Sequence, residues 1–207
     1  MLDNKVILVG YAGHGYVVAD VALENKLNIL GYAENTLLKN NPFSLNYLGN
    51  ERENDFFINN KEGKFLIGIG DNKIREKIYH LILEKERDII TLISKSASIS
   101  QTAIIGKGSF INKNVSINAF AKIDHNVILN TACIIEHDCI VGGSSHIAPG
   151  AVLAGNVKVG ERTFIGANAV IKQGVKIGND VIIGAGSVVI HDIPNNQKVV
   201  GNPCRLI

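Results

Sequence analysis

Leu129-Asn130-Thr131-Ala132-Cys133-Ile134-Ile135-Glu136-His137-Asp138-Cys139-Ile140-Val141 repeats one pattern twice and starts it a third time. A branched aliphatic residue stands at every sixth position (129, 135, 141), and a compact residue follows four places later (Cys133, Cys139, Ser145). Working outward in both directions, the phase holds from Ile99 to Val189, and all 16 of the sixth positions are Ile, Leu or Val. The compact positions run from Ala103 to Ser187 as Ala, Ser, Thr, Cys or Val, and Gly106, Gly142, Gly160, Gly166, Gly178 and Gly184 directly follow aliphatic residues. Such a repeat predicts a hexapeptide β-helix: each hexad is a short strand and a corner, and three hexads close one triangular coil of about 18 residues. The aliphatic residue points inward, the compact residue fits where the chain turns, and glycine is expected to ease the corner dihedrals. The span predicts about five coils rising about 4.8 Å each, the distance between paired strands. The phase never slips, so no long loop interrupts them.

The first 93 residues lack the hexad. Lys5-Val6-Ile7-Leu8-Val9 reads as a buried strand, followed by Gly10-Tyr11-Ala12-Gly13-His14-Gly15 and an apolar helical run. Ile29–Tyr32, Phe65–Gly70 and Asp88–Ile93 read as further strands, and Asn72–Lys85 as a helix. This alternation predicts a small parallel α/β domain, Rossmann-like in outline, over 1–93, with the β-helix over 94–207. The Asn-rich stretch 35–60 reads as an irregular connection. A glycine turn between strand and helix is a phosphate cradle, because backbone and free helix N–H groups approach the anion. The spacing is G-x-x-G-x-G and not the dinucleotide G-x-G-x-x-G, which favours a sugar nucleotide over NAD; a plain tight turn is the competing reading.

Composition narrows the function classes. With 21 Lys plus Arg against 19 Asp plus Glu, the chain lacks the basic surplus of a nucleic-acid binder. No apolar run approaches the roughly 20 residues of a membrane span, and Met1-Leu2-Asp3-Asn4-Lys5 does not read as a signal peptide. Three cysteines suit reduced thiols in the cytoplasm, with Cys133 and Cys139 as packing residues.

The repeat resembles the hexapeptide-repeat acyltransferases from about Ser94 to Ile207, and the tail Gly201-Asn202-Pro203-Cys204-Arg205 is similar to their G-x-P-A-[KR] ending, with Cys204 in place of Ala. The glycine loop, Ile69-Gly70-Asp71-Asn72-Lys73-Ile74-Arg75 and the repeat together resemble the bacterial sugar acetyltransferases that include the sialic acid O-acetyltransferases and the UDP-4-amino-sugar N-acetyltransferases of bacillosamine biosynthesis. Ile134–Cys139 and Ser145–Ala151 look closest to the amino-sugar branch. The resemblance implies a left-handed coil, a homotrimer and acetyl-CoA in a groove between neighbouring helices. It implies acetyl transfer to a sugar amine, or, as the alternative, O-acetylation of a sialic acid or related hydroxyl.

Residue roles follow from the resemblance together with the coil arithmetic. His137 is implied as general base with Asp138 as its carboxylate partner, and Glu136 competes for that role. Gly155 lies one coil, 18 positions, beyond His137 and leaves a notch beside the imidazole; its N–H is the candidate oxyanion donor. His146, stacked on Phe164, is implied to contact acetyl-CoA, with Ala167 and Ala185 as further contacts and Lys172, Lys176 and Arg205 as candidates for its phosphates. Ala12, Gly13, His14, Glu34, Asn35 and Gly70 match the nucleotide-sugar positions. Related chains carry two Asp where this one has Glu34-Asn35. His125 reads as a surface or subunit-contact residue, and His80 and His191 as surface residues. The hexapeptide zinc carbonic anhydrases resemble an H-x4-H pattern; His137 and His146 are nine apart, so no metal is expected.

Overall fold

The computed structural model describes residues 4–207; Met1, Leu2 and Asp3, part of the stretch read against a signal peptide, lie outside the described residues. Contacts divide the chain into two compact units, Met1–Leu92 and Ile93–Ile207.

In the first unit β1 (Lys5–Val9) is the central strand of a three-stranded parallel sheet, between β2 (Asn28–Ala33) and β3 (Lys64–Ile67). Its continuous Val-Ile-Leu-Val run is buried, as a parallel strand covered on both faces requires. Helices α1 (His14–Glu24) and α3 (Asn72–Glu84) flank the sheet in sequence, with Asp71 capping α3 by accepting the Ile74 N–H at 2.9 Å. Two expectations need correction. Asp88–Ile93 is not one strand: Ile89 makes a single bridge to Phe65, while Leu92–Ile93 opens the coil, because Ile93 already stands one hexad before Ile99. The 35–60 connection is not wholly irregular: Tyr47 bridges Tyr32, and a short helix α2 (Phe56–Asn59) packs Phe56 and Phe57 against Phe65.

The second unit is a left-handed parallel β-helix of about six turns, one more than expected. The first wall begins at Leu92–Ile93 and ends at Lys198–Val200, the second runs from Ser98–Ile99 to Val188–Val189, and the third from Ile104–Ile105 to Lys176–Ile177. The extra turn comes from Leu92–Ile93 at one end and Lys198–Val200 at the other, where antiparallel Arg205–Leu206 covers the edge of the first wall. Partners within the repeat lie 18 apart, as Ser116, Ile134 and Val152 do on the second wall. The inward aliphatic residues form one continuous column, from Ile111 through Leu129 and Ile147 to Ile183, each 0% exposed. Cys133 and Cys139 belong to that column as free, buried thiols, and burial pushes them up to about 12 and about 11.

The role of glycine differs in part from expectation. The left-handed corner residue is the third after the aliphatic one: Gly108, Gly150, Gly174 and Gly186 ease it there with φ of 67–77°, as expected of glycine, but Asn114, Asn126, Ala132, Asp138, Ser144, Asn156, Arg162, Asn168 and Asp180 also take it, with φ between 53° and 60°. The glycines directly after the aliphatic residue serve close approach. A Cβ on Gly106 would stand 2.5 Å from the Asp124 carbonyl carbon of the next coil, and one on Gly166 would stand 2.5 Å from the Ala185 nitrogen.

Among the described residues no helix is long and apolar enough to cross a membrane.

Candidate active site

The first unit contains a cavity of about 380 Å³ at the carboxyl ends of β1 and β3. Ala12, His14, Glu34, Asn35 and Gly70 line it, so the structure brings together five of the six nucleotide-sugar candidates. Gly13, between Ala12 and His14, is not among the lining residues: it is the N-cap of α1, with φ +49° and nothing within 4 Å of where a Cβ would stand. The tight glycines are instead Gly10, Gly15 and Gly68, since a Cβ on Gly15 or Gly68 would meet the Gly10 carbonyl oxygen at 2.2 or 2.3 Å. Close packing of these three lets the β1 and β3 ends converge on the cavity.

Charge in this cavity is arranged around a buried cation. Arg75 is 1% exposed and donates to the carbonyl oxygens of Ile69 and Gly70 at 3.3 and 3.0 Å and to Asn72 Oδ1 at 2.9 Å, holding the 69–70 turn. Burial lowers its pKa to about 9, which keeps it charged at neutral pH. Burial, and then the Arg75 charge, push His14 down to about 4, so His14 is a neutral imidazole at neutral pH. Glu34 Oε1 accepts the Tyr11 N–H at 2.8 Å. Glu51 and Arg52 also line the cavity; the Glu51 carboxyl is buried, its pKa is raised by that burial, and Arg52 Nε stands 3.6 Å away. Sequence reasoning missed both, because the 35–60 stretch carries no period that would place them.

The shifted His14 makes a stability prediction. Its folded pKa of about 4 lies below the 6.5 of a free imidazole, so between these values the unfolded chain binds the extra proton and stability falls as pH is lowered. The loss from pH 7 to pH 4 is at most roughly 3 kcal/mol, and His14→Gln removes that share. All five tyrosines lie between residues 11 and 79 and the chain has no Trp, so tyrosine fluorescence during urea unfolding follows the first unit alone. Equal pH slopes for the wild type and His14→Gln would refute the assignment.

In the β-helix, His137 and Asp138 occupy the corner between the second and third walls. His137 Nδ1 lies 2.9 Å from Asp138 Oδ2, and both side chains are more than half exposed. A carboxylate only accepts, so Nδ1 carries a proton and Nε2 is the ring nitrogen left facing away from Asp138. Gly155 sits one coil on, and a Cβ there would be 2.5 Å from Nε2 and 2.6 Å from Cε1. Glycine is therefore what admits the ring at this height. Of the two carboxylates that flank His137, Asp138 and not Glu136 holds the partner position. At Lys113, His125 and Thr131 the amide two places after the aliphatic residue donates to the preceding Asn or Asp side chain; Ala154 gives Gly155 no such acceptor.

His125 repeats this geometry at the corner between the third and first walls. Its Nδ1 is 2.9 Å from Asp124 Oδ1, and a Cβ on Gly143 would meet its Cε1 at 2.5 Å. Burial raises the Asp124 pKa, but hydrogen bonds from the His125 ring and amide outweigh it, and the carboxyl lies below its usual range. The same arithmetic that paired His137 with Gly155 pairs His125 with Gly143, a pairing that the expectation of a surface or subunit-contact residue did not include. The two differ in exposure: the His125 side chain is 32% exposed and that of His137 is 53%.

His146 lies on the first wall and is 8% exposed, more covered than its outward position suggested. Phe164 packs edge-on to it at 5.2 Å between centroids, and Asn130 Nδ2 lies 3.2 Å from its Nε2. Asn130 Oδ1 accepts from Asn112 Nδ2 and the Thr131 N–H, which fixes the amide so that Nδ2 donates to His146. Ala167 and Ala185 lie one coil apart at the corner into which the first wall leads. Within one chain the coil brings His146, Ala167 and Ala185 to one side and His137, Asp138 and Gly155 to the corner opposite the first wall. Lys172 and Lys176 are exposed, and Arg205 donates to the Cys204 carbonyl oxygen at 2.9 Å.

A hexapeptide β-helix that follows a glycine-looped parallel sheet and carries a histidine–carboxylate pair at a corner defines a transferase of the hexapeptide class. Residues 5–82 match the PglD N-terminal domain family, and residues 156–191 match the bacterial transferase hexapeptide family of six repeats. The acetyltransferase domain of PglB from Neisseria gonorrhoeae, solved in complex with acetyl coenzyme A, is 30% identical, with a TM-score of 0.92 over 99% of this chain and 100% of that one. PerB from Caulobacter crescentus, solved in complex with CoA and GDP-perosamine, is 29% identical, with a TM-score of 0.92 over 98% of this chain and 97% of that one. WeeI from Acinetobacter baumannii shares the fold at 24% identity and a TM-score of 0.88, over 98% of this chain and 99% of that one. The chain belongs to the hexapeptide-repeat sugar acetyltransferase family and is an acetyltransferase.

Proposed function

We propose that this protein transfers the acetyl group of acetyl-CoA to the amine of a UDP-linked 4-amino-4,6-dideoxy sugar, with His137 as general base. The observation that carries the reading is the His137–Asp138 pair under Gly155: an imidazole held through Nδ1 by a carboxylate, with its Nε2 edge beside a glycine. The relatives solved with acetyl-CoA, or with CoA and GDP-perosamine, support the donor and the nucleotide-linked acceptor. The first unit's cavity, with its glycine turn and the neutral His14, is suited to the nucleotide diphosphate, which then serves as a handle for the sugar.

In this reading the sugar amine is a nucleophile only without its extra proton. The ammonium form gives that proton to solvent; His137 Nε2 then takes a second proton from the amine nitrogen as the nitrogen bonds to the thioester carbonyl carbon, and Asp138 stabilises the resulting imidazolium. The tetrahedral oxyanion accepts the Gly155 N–H. The C–S bond then breaks, and the thiolate recovers the proton from His137 to leave as CoA. The chain's own residues supply base, partner and oxyanion donor without a covalent enzyme intermediate or a metal.

His137 and His146 lie on opposite sides of the coil, so a site using both takes the corner of one copy and the first wall of another. Such a head-to-tail contact between unlike faces must close into a ring, and the three-sided coil suits a homotrimer. Light scattering is expected to give the trimer mass; a stable, fully active monomer would contradict the shared site.

A CoA-release assay across UDP-, GDP- and dTDP-linked 4-amino sugars, with sialic acid as a hydroxyl acceptor, tests the acceptor class. The highest kcat/KM is expected for the UDP-linked amine. Turnover of the hydroxyl acceptor alone would replace the reading with O-acetylation.

A further inference from the structure

Phe120 occupies the left-handed corner position, with φ +61°, otherwise held in the repeat by Asn, Asp, Ser, Ala, Arg or Gly. A bulky aromatic residue there is strained, because its Cβ crowds the backbone in a way that Gly and Asn avoid. It is also 61% exposed, and among the 12 Phe and Tyr residues of the chain it alone is exposed. The fold thus bears two costs at one residue, a disfavoured backbone and an uncovered ring, and hydrophobic packing within the chain accounts for neither. Such outliers concentrate where a ligand is held.

Its position gives the ring a task. Phe120 lies one coil, 18 positions, before Asp138, on the same corner column as His137, and the Asp138 N–H donates to the carbonyl oxygen of its neighbour Ala119 at 3.0 Å. Adjacent coils are about 4.8 Å apart, close to the width of a sugar ring. The other histidine corner has no such ring, since Lys107 and Gly108 precede His125 and Asn126 by one coil.

We propose that Phe120 is a substrate-contacting residue that takes the apolar C–H face and the 6-methyl group of the acceptor sugar, holding its amine at His137. The proposal rests on the reading of His137 as base. A 6-deoxy sugar presents carbon-bound hydrogens on one face and at C6, and covering them with the ring removes apolar surface from water on both partners. The ring thereby selects a methyl over a hydroxymethyl group at C6.

Phe120→Asn tests this, because Asn suits the left-handed backbone and should leave melting temperature and oligomer mass unchanged or improved. The KM for the 6-deoxy acceptor is expected to rise roughly tenfold, while the KM for acetyl-CoA stays within about twofold. The preference of the wild type for the 6-deoxy over the 6-hydroxy acceptor should fall toward unity. An unchanged acceptor KM and preference would overturn the proposal, and so would loss of the oligomer in Phe120→Asn, which would assign the ring to a contact between copies. His137→Ala in the same assay separates the two failures: if it is inactive while Phe120→Asn behaves as wild type, the base reading stands and only the Phe120 contact falls.

Discussion

Replacing His137 with Ala is expected to lower kcat by about 10²–10⁴, the usual worth of a general base, with acetyl-CoA affinity kept. The side chain is more than half exposed, so its removal opens no cavity and stability should not change. Asp138→Ala should cost less, since it removes the group that orients the imidazole and leaves the base itself. The matched control is His125→Ala, which deletes a ring with the same carboxylate distance at another corner. Steady-state kinetics should find His125→Ala within about twofold of wild type, because general-base catalysis at one site depends on geometry to one substrate. Equal losses in both variants would mean that the corner geometry is structural and the base lies elsewhere.

A single methyl group should disable the site from the outside. In Gly155→Ala the new Cβ would stand 2.5 Å from His137 Nε2, a distance that no relaxed structure keeps. The ring is the far end of an exposed side chain, so it swings away while the coil backbone stays. The expected result is a fall in kcat of about 10², the scale of a misplacement of about 1 Å at a reacting group, with melting temperature nearly unchanged. Gly143→Ala makes the same collision with His125 and should leave turnover intact. Circular dichroism melts beside turnover numbers check both variants. A Gly155→Ala enzyme with wild-type kcat would place the proton transfer away from Nε2.

The β-helix is legible in the sequence because a strict period turns sequence separation into distance. Spacing alone assigns Ile135 inward, His137 outward and Gly155 overhead, since 18 positions make one coil. The same arithmetic contains the His125–Gly143 copy. It does not reveal why the glycines are there: Gly106 and Gly166 are set by the approach of the next coil, a contact between coils that dihedral reasoning omits. The cover over His146 depends on the rotamers of Asn130 and Phe164, which no periodicity encodes. In the first unit the glycine turn and α3 are readable from local signals, such as the Asp71 cap. Glu51 and Arg52 are not, because they reach the cavity from a stretch whose course is decided by packing of Phe56, Phe57 and Tyr47.

The central claim is that the acetyl group ends on a nucleotide-linked sugar amine, by way of His137. Its most direct test is the bond in the product. Acetyl-CoA labelled with ¹³C at the carbonyl is incubated with the enzyme and a UDP-linked 4-amino-4,6-dideoxy sugar, and the product is read by NMR. The account predicts a ¹³C carbonyl coupled to an amide N–H at C4, formed by the wild type and nearly absent with His137→Ala. An ester carbonyl on a ring hydroxyl, or an amide formed equally well without His137, would contradict it.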